Sequence, residues 1–260
     1  MSYFHACVLG LIQGVSEFLP VSSSAHLALT PWLLGWPDPG LTFDVALHAG
    51  TLAAVLGYFW RDWLELLTQS AACPTGPQAR LLGMLALGSV PAAVFGLAFE
   101  KAAEATLRGP ALVAALLIGF GALMEAADRF GRRARCGSDL SWGGGLLIGC
   151  AQALAIAPGV SRSGVTMTAA LALGLTRQDS ARFSFLLATP IIAGASLLKL
   201  RHLHAVDLTG PFWMGVIVSA VSGWAAVGFL LKSLPSTGVR PYAAYRVLAG
   251  LAVLAVYFLR

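Results

Sequence analysis

The chain has 260 residues, of which 57% are hydrophobic and only 11% are charged. A soluble domain carries about a quarter charged residues, so this composition excludes an ordinary water-soluble protein. The net charge of +5 does not indicate a nucleic-acid partner, because the basic residues fall in short stretches between long apolar segments. The composition therefore predicts an integral membrane protein surrounded by membrane lipids.

Six apolar segments, taken in chain order, are long enough or nearly long enough to cross a membrane, which requires about 20 apolar residues. They cover residues 41–60, 81–99, 110–127, 183–200, 212–231 and 243–259. We expect an all-α polytopic membrane protein in which these segments form about six transmembrane helices.

Two further apolar segments are interrupted in the middle. Residues 3–34 contain the run PVSSS at 20–24, and residues 140–175 contain PGVSRS at 158–163. Each pattern predicts a helix, an irregular loop and a second helix. Irregular backbone at membrane depth requires protein or a water-filled cavity to satisfy its polar groups. We therefore expect two re-entrant helix–loop–helix hairpins.

The two interrupted segments resemble each other. Gln13 precedes Ser22 by nine positions, and Gln152 precedes Ser161 by the same interval. Three predicted spans lie between the two hairpins, so the second copy would be inverted. We expect one membrane domain over 1–260, built from repeats at about 1–127 and 140–260. Paired broken helices in inverted repeats are typical of transporters.

Lysine and arginine residues predict the orientation, because cytoplasmic loops carry an excess of them. One end of the spans would carry Arg61, Arg80, Arg129, Arg132, Arg133, Arg135, Arg177, Arg182, Lys232 and Arg240. The other end would carry Lys101, Arg108, Lys199, Arg201 and Arg260. The larger set is predicted to be cytoplasmic, which places both termini outside.

The first hairpin carries Gln13 and Glu17, which a helix places on one face because they are four residues apart. A carboxylate inside an apolar hairpin is costly and indicates function. Glu17 would hold a divalent cation or orient a base, and Gln13 would supply a neutral oxygen ligand or a hydrogen bond.

Ser23 and His26 are three residues apart at the start of the second arm. A hydroxyl beside an imidazole suits an activated nucleophile, and the histidine would alternatively protonate a leaving group. Simpler interpretations are a helix cap formed by the serine run and a hydrogen-bonded packing histidine. Asp44 and His48, four apart on the next span, are either partners of this site or a structural polar pair.

The second hairpin carries Arg162, the only Arg or Lys between residues 140 and 176. Hydroxyls and glycines surround it, and a guanidinium matches phosphate geometry with two parallel hydrogen bonds. One acid, one histidine, several serines and one arginine suit a phosphoryl group. A structural ion pair with Glu17 is the alternative, because buried charges usually pair.

Residues 13–26 resemble the glutamate-rich motif of the bacterial undecaprenyl-diphosphate phosphatases, the bacitracin-resistance family. Residues 158–166 resemble that family's second motif, Pro-Gly-x-Ser-Arg-Ser-x-x-Thr, and the resemblance runs through the whole chain. Gln13 occupies a position often filled by glutamate, which leaves one carboxylate fewer. Ala25 replaces a glycine, which makes a left-handed turn there less favourable.

The resemblance implies a membrane enzyme that hydrolyses undecaprenyl diphosphate to undecaprenyl phosphate and inorganic phosphate. It implies catalytic roles for Glu17, Ser23, His26 and Arg162, substrate contacts from Ser22, Ser24, Ser161, Ser163 and Thr166, and a divalent cation, Mg²⁺ or Ca²⁺, on Gln13 and Glu17. It further implies the bacterial inner membrane and allows a homo-oligomer. The orientation predicted from the basic residues has the first hairpin enter from the outer face, so the active site is expected toward that face.

Two questions stay open at this stage. Ser23, His26 or water would each serve as nucleophile. The rival function is a transporter or flippase that moves a polyprenyl phosphate without cleaving it, which the predicted inverted repeat favours.

Overall fold

The computed structural model describes residues 1–37, 40–200 and 208–259, and these residues form eleven α-helices with no β-sheet among them. In chain order the helices are α1 (Tyr3–Phe18), α2 (Ser23–Leu34), α3 (Leu41–Tyr58), α4 (Trp60–Ala72), α5 (Pro77–Thr106), α6 (Pro110–Phe130), α7 (Trp142–Ala153), α8 (Arg162–Ala172), α9 (Arg177–Leu200), α10 (Gly210–Thr237) and α11 (Arg240–Leu259). The all-α prediction is confirmed.

Five helices, α5, α6, α9, α10 and α11, are long and apolar enough to cross a membrane. The pair α3 and α4 adds a sixth candidate that is bent by 68° at its break. These helices coincide with the predicted spans, although α4 was not predicted. The charged residues Arg61, Asp62 and Glu65 end the apolar run there, but the chain continues as a second helix.

Large apolar side chains cover much of the outer surface of the bundle. Examples are Leu97, Leu197, Val221 and Phe258, the last of which is 78% exposed. Lipid is the solvent in which such a surface is favourable. The chain is therefore a multi-pass membrane protein.

The two interrupted segments fold as helix–loop–helix units, as predicted. The first consists of α1 and α2, and the second consists of α7 and α8, with a short 3₁₀ turn at Leu154–Ile156 between them. The residue before each second arm has a positive φ, 77° at Ser22 and 69° at Ser161. Such values are uncommon outside glycine and mark a tightly held turn. The left-handed residue of the first loop is thus Ser22, whereas Ala25 lies within α2.

The hairpins pack in a reciprocal way, α1 against α10 and α7 against α5. Small residues allow these close approaches, as is common between membrane helices. A Cβ on Gly14 of α1 would lie 2.0 Å from Ser222 Oγ, and one on Gly149 of α7 would lie 2.2 Å from the Gly88 carbonyl oxygen. The first hairpin thus packs on a helix of the second half, and the second hairpin packs on a helix of the first half, which is the arrangement expected of two repeats. The inverted repeat and its boundaries stay predictions.

The orientation also stays a prediction. Arg201 and Arg260, two of the residues used for it, lie outside the described residues, as do the side chains of Lys101 and Lys199.

Candidate active site

The loops of the two hairpins meet in the interior of the protein. The backbone N–H of Gly159 in the second loop donates to Ser22 Oγ in the first, at 3.1 Å. Ser163 Oγ, at the start of α8, donates to the carbonyl oxygen of Leu19 at 3.5 Å. Residues 137 and 144 positions apart in the chain are therefore brought into one site.

Arg246 of α11 forms hydrogen bonds to the backbone of both loops. Its guanidinium is fully buried and donates to the carbonyl oxygens of Gly159 and Val160 at 2.7 and 2.9 Å, with longer contacts to those of Pro20 and Leu117. Three of these carbonyls, those of Pro20, Gly159 and Val160, lie at the breaks between helices, where they would otherwise lack partners, and that of Leu117 lies within α6. None of the ion pairs found among the described residues includes Arg246.

Glu17 and Arg162 form a buried ion pair across the two hairpins. Arg162 Nη2 and Nε donate to Glu17 Oε1 at 3.1 and 3.3 Å, and Arg162 Nη1 donates to the carbonyl oxygen of Ser184 at 3.3 Å. The predicted approach of an acid from the first half to a guanidinium from the second is confirmed. The contact is the ion pair of the structural interpretation, and the catalytic role of Arg162 stays a prediction.

Three further side chains lie close to the second carboxylate oxygen of Glu17. Ser23 Oγ donates to Oε2 at 2.5 Å, and Gln13 Nε2 donates to it at 3.1 Å. His48 Nε2 lies 3.6 Å from the same oxygen. The expectation that Gln13 and Glu17 share one helix face is confirmed. The ring of His48 is oriented by its Nδ1, which lies 2.7 Å from the Asp44 carbonyl oxygen.

A cavity of about 290 Å³ opens beside this cluster. Its polar wall is formed by Ser16, Glu17, Ser23, Ser24, His48, Gln152, Ser161, Arg162 and Ser196. The rest of the wall is apolar, with alanine and isoleucine from α5, α9 and the second loop. Five of the site residues predicted from the sequence therefore line one cavity, namely Glu17, Ser23, Ser24, Ser161 and Arg162.

The predicted pairing of Ser23 with His26 is not found, because Ser23 bonds to Glu17 instead. His26 is held elsewhere, with Nδ1 2.7 Å from the Ser22 carbonyl oxygen and Nε2 2.7 Å from the Tyr245 hydroxyl. Its ring also stacks on that of Tyr245 at a centroid distance of 5.6 Å. The structure thus places His26 behind the loop rather than in the cavity wall.

The remaining predicted substrate contacts lie behind the cavity wall. Ser22 accepts from Gly159, and its side chain does not cap α2, contrary to the simplest interpretation of the serine run. Ser163 and Thr166 are fully buried, and Thr166 Oγ1 donates to the Arg162 carbonyl oxygen and lies 2.6 Å from Ser184 Oγ. These side chains hold the arm that carries Arg162. Ser161, in contrast, both lines the cavity and caps α8 by accepting from the Gly164 N–H.

The residues that would hold a divalent cation are few. Glu17 supplies a carboxylate, and Gln13 Oε1 is a buried oxygen without a hydrogen-bond partner. Within residues 1–37, 40–200 and 208–259 there is no group of three His, Cys, Asp or Glu side chains spaced for a metal. One carboxylate and one amide oxygen still fit Mg²⁺ or Ca²⁺, because such ions commonly complete their shell with substrate phosphates and water.

The sequence did not assign roles to Arg246, Gln152 or Ser196. Arg246 was detectable as a charged residue inside a predicted span, which marks a functional candidate. Gln152 was noted only as the repeat counterpart of Gln13. Ser196 carries no signal in the sequence, because a serine in an apolar helix is common. The sequence leaves open whether His48 is a partner of this site or part of a structural pair, and its contact with Glu17 depends on how α1 and α3 pack.

Comparison with known proteins places the chain in one family. Residues 6–252 match the family model of the bacitracin resistance protein BacA. The chain is 50% identical over 260 residues to an undecaprenyl-diphosphatase of Moorella thermoacetica, covering 100% of both chains. It is 48% identical over 254 residues to an undecaprenyl-diphosphatase of Pelotomaculum thermopropionicum, covering 98% of this chain and 96% of that one. It is 49% identical over 269 residues to an undecaprenyl-diphosphatase of Geobacter sulfurreducens, covering 100% of both. This membrane protein, in which two loops bring an acid, a serine and an arginine to one cavity, belongs to the bacitracin resistance protein family.

Proposed function

We propose that this chain hydrolyses undecaprenyl diphosphate to undecaprenyl phosphate and inorganic phosphate in the cavity between the two loops. The family and the names of its full-length relatives support this activity. The main observation behind this proposal is that Ser23 and Arg162 both bond to Glu17 and that all three side chains line one cavity. These three groups are suited to phosphoryl transfer. The reaction would regenerate the lipid carrier used for cell-wall polymers.

Arg162 is the group that would bind the terminal phosphate. A guanidinium carries five N–H donors, and three of them are engaged by Glu17 and by the Ser184 carbonyl oxygen. Two N–H groups therefore remain for phosphate oxygens without breaking the ion pair. Ser24 and Ser161, in the same wall, would add hydroxyl donors.

Ser23 is the nucleophile that the geometry favours. Its hydroxyl already donates to Glu17, so the carboxylate is in place to take the proton. Ser23 Oγ would attack the terminal phosphorus, the bond from that phosphorus to the bridging oxygen would break, and undecaprenyl phosphate would leave. Water would then attack the phosphoserine, releasing inorganic phosphate and restoring the hydroxyl.

His26 is a weaker candidate for the nucleophile, because both of its ring nitrogens are engaged outside the cavity. We assign it the role of holding the first loop through Ser22, with Tyr245 as its second partner. Ser22, Ser163 and Thr166 act in the same way, as supports of the two loops.

Gln13 and Glu17 are the residues that would hold a divalent cation. When bound, the cation supplies positive charge that helps to neutralise the phosphates, which is a main requirement of phosphoryl transfer. Gln13 also orients the Glu17 carboxylate by its hydrogen bond.

The cavity is large enough for the diphosphate but not for a long prenyl chain, which would extend into the lipid. The wall includes residues from the first turns of α3 and from the C-terminal halves of α5 and α9. These ends lie away from the larger set of basic residues. We therefore place the cavity toward the outer face of the bacterial inner membrane, with both termini outside.

The test is phosphate release by the purified chain in detergent, with undecaprenyl diphosphate as substrate. We expect release that depends on Mg²⁺ or Ca²⁺ and that falls strongly in the Arg162→Lys variant, because lysine lacks the planar set of donors. A transporter without hydrolase activity would release no phosphate in detergent, since transport requires a sealed membrane. That result with the wild-type protein would refute the proposal.

A further inference from the structure

Two side chains in the cavity wall have buried polar atoms with no hydrogen-bond partner. They are Gln152 of α7, where both amide atoms are unpartnered, and Ser196 of α9, where Oγ is unpartnered. Gln152 is 2% exposed and Ser196 is 6% exposed. Seven such buried atoms occur among the described residues, and three of them belong to this pair.

Leaving such groups without partners is unfavourable. A buried donor or acceptor that lacks its hydrogen bond costs about 1–3 kcal/mol, and nearby lipid offers no alternative partner. The Gln152 N–H₂ and the Ser196 hydroxyl are therefore two buried donors available to a ligand that accepts hydrogen bonds. Both side chains line the same cavity, which is where a ligand shared by them would bind.

The proposed reaction leaves one part of its substrate without a partner. Glu17, Ser23 and Arg162 serve the terminal phosphate, but a diphosphate has a second phosphate, which stays on the lipid. The lining of the cavity that holds Gln152 and Ser196 also includes the apolar residues Ala155 and Ile192. Neutral donors beside an apolar wall suit a phosphate that is attached to a prenyl chain.

We propose that Gln152 and Ser196 form a second subsite that binds the lipid-side phosphate of the substrate through the amide N–H₂ and the hydroxyl. This inference rests on the proposed function. The subsite makes the cavity prefer a prenyl diphosphate over a prenyl monophosphate, because only the diphosphate reaches both subsites. It also retains the lipid phosphate while the terminal phosphoryl group is transferred.

The experiment uses two variants, Gln152→Met and Ser196→Ala, which remove the polar atoms and nearly conserve the volume. Gln69→Met is the control, because Gln69 is an exposed amide on α4 that bonds to Glu65. Two quantities are measured on the detergent-solubilised protein. One is the melting temperature without ligand, and the other is the Kd of farnesyl methylenediphosphonate, a prenyl diphosphate analogue that cannot be hydrolysed.

We expect both cavity variants to bind the analogue roughly 10- to 150-fold more weakly, the equivalent of one lost hydrogen bond to a charged group. Their melting temperatures without ligand should equal or exceed that of the wild type, because an unsatisfied buried group has been removed. The control should match the wild type in both measurements.

Two results would overturn the proposal. One is unchanged Kd values for the diphosphonate in both variants. The other is a lower melting temperature together with weaker binding in both variants, which would indicate a structural role. The binding measurements need no turnover, so they are decided separately from the hydrolase activity. If the wild type binds the analogue but releases no phosphate, the proposed function fails while the subsite is still tested.

Discussion

The Glu17→Gln variant tests the ion pair between the hairpins, because it removes the charge and conserves the size of the side chain. The side chains of Arg162 and Glu17 are only 11% and 5% exposed. Breaking a buried pair by removing one charge leaves the other uncompensated and costs about 3–5 kcal/mol. We expect the free energy of unfolding to fall by about this amount. Phosphate release should fall by a factor of about 10²–10⁴, because Ser23 loses its proton acceptor.

The matched control is Asp62→Asn, which breaks the ion pair with Arg182. That pair is exposed, with side-chain exposures of 53% for Arg182 and 28% for Asp62, so its loss should cost no more than about 1 kcal/mol. Both variants convert a carboxylate to its amide opposite an arginine. Denaturant unfolding in detergent and phosphate release are measured for each. The reasoning is refuted if Glu17→Gln is no more destabilising than Asp62→Asn, or if it retains more than about one tenth of the activity.

Three further variants test other parts of the account. Arg246→Met should destabilise the protein by at least about 2 kcal/mol in denaturant unfolding, because the carbonyl oxygens of the two loops lose their donor. An unchanged stability would show that the hydrogen bonds from Arg246 to the loops do not stabilise the fold. His48→Ala should reduce phosphate release by about tenfold at most, because His48 only lies beside the Glu17 carboxylate. Complete inactivation would contradict this and would indicate a direct role of His48 in the reaction. Gly14→Ala should lower the free energy of unfolding by about 1–3 kcal/mol, because the added Cβ would overlap α10. Its control, Gly119→Ala, should be neutral or stabilising, because nothing lies within 4 Å of the added Cβ. Equal effects of the two variants on the melting temperature would contradict the close packing of α1 on α10.

The fold was largely predictable because a membrane protein must contain long apolar segments, which are easily recognised in the sequence. Long apolar segments must be helical in lipid, and five of the six predicted spans became single long helices. The breaks at residues 20–24 and 158–163 were predictable because proline and serine runs interrupt helices. The bend before α4 was not predictable, because the helix continues past the charged residues that end the apolar segment.

The site was predictable only in part, because spacing along a helix does not say which neighbour a side chain meets. The meeting of Glu17 and Arg162 followed from the rule that buried charges seek partners. Ser23 and His26 are three residues apart on α2, yet Ser23 faces Glu17 of α1 while His26 faces Tyr245 of α11. The roles of Arg246 and Gln152 depend on contacts made across the whole chain, which no local pattern specifies.

The most direct test of the central claim is to locate the phosphoryl group during turnover. The purified protein is mixed with undecaprenyl diphosphate labelled on its terminal phosphate, quenched in acid and digested, and the labelled peptide is identified. Phosphoserine survives acid, whereas phosphohistidine does not. We predict an acid-stable label on Ser23 that is absent from the Ser23→Ala variant. Rapid phosphate release without any acid-stable label, together with a Ser23→Ala variant that keeps most of its activity, would contradict the account.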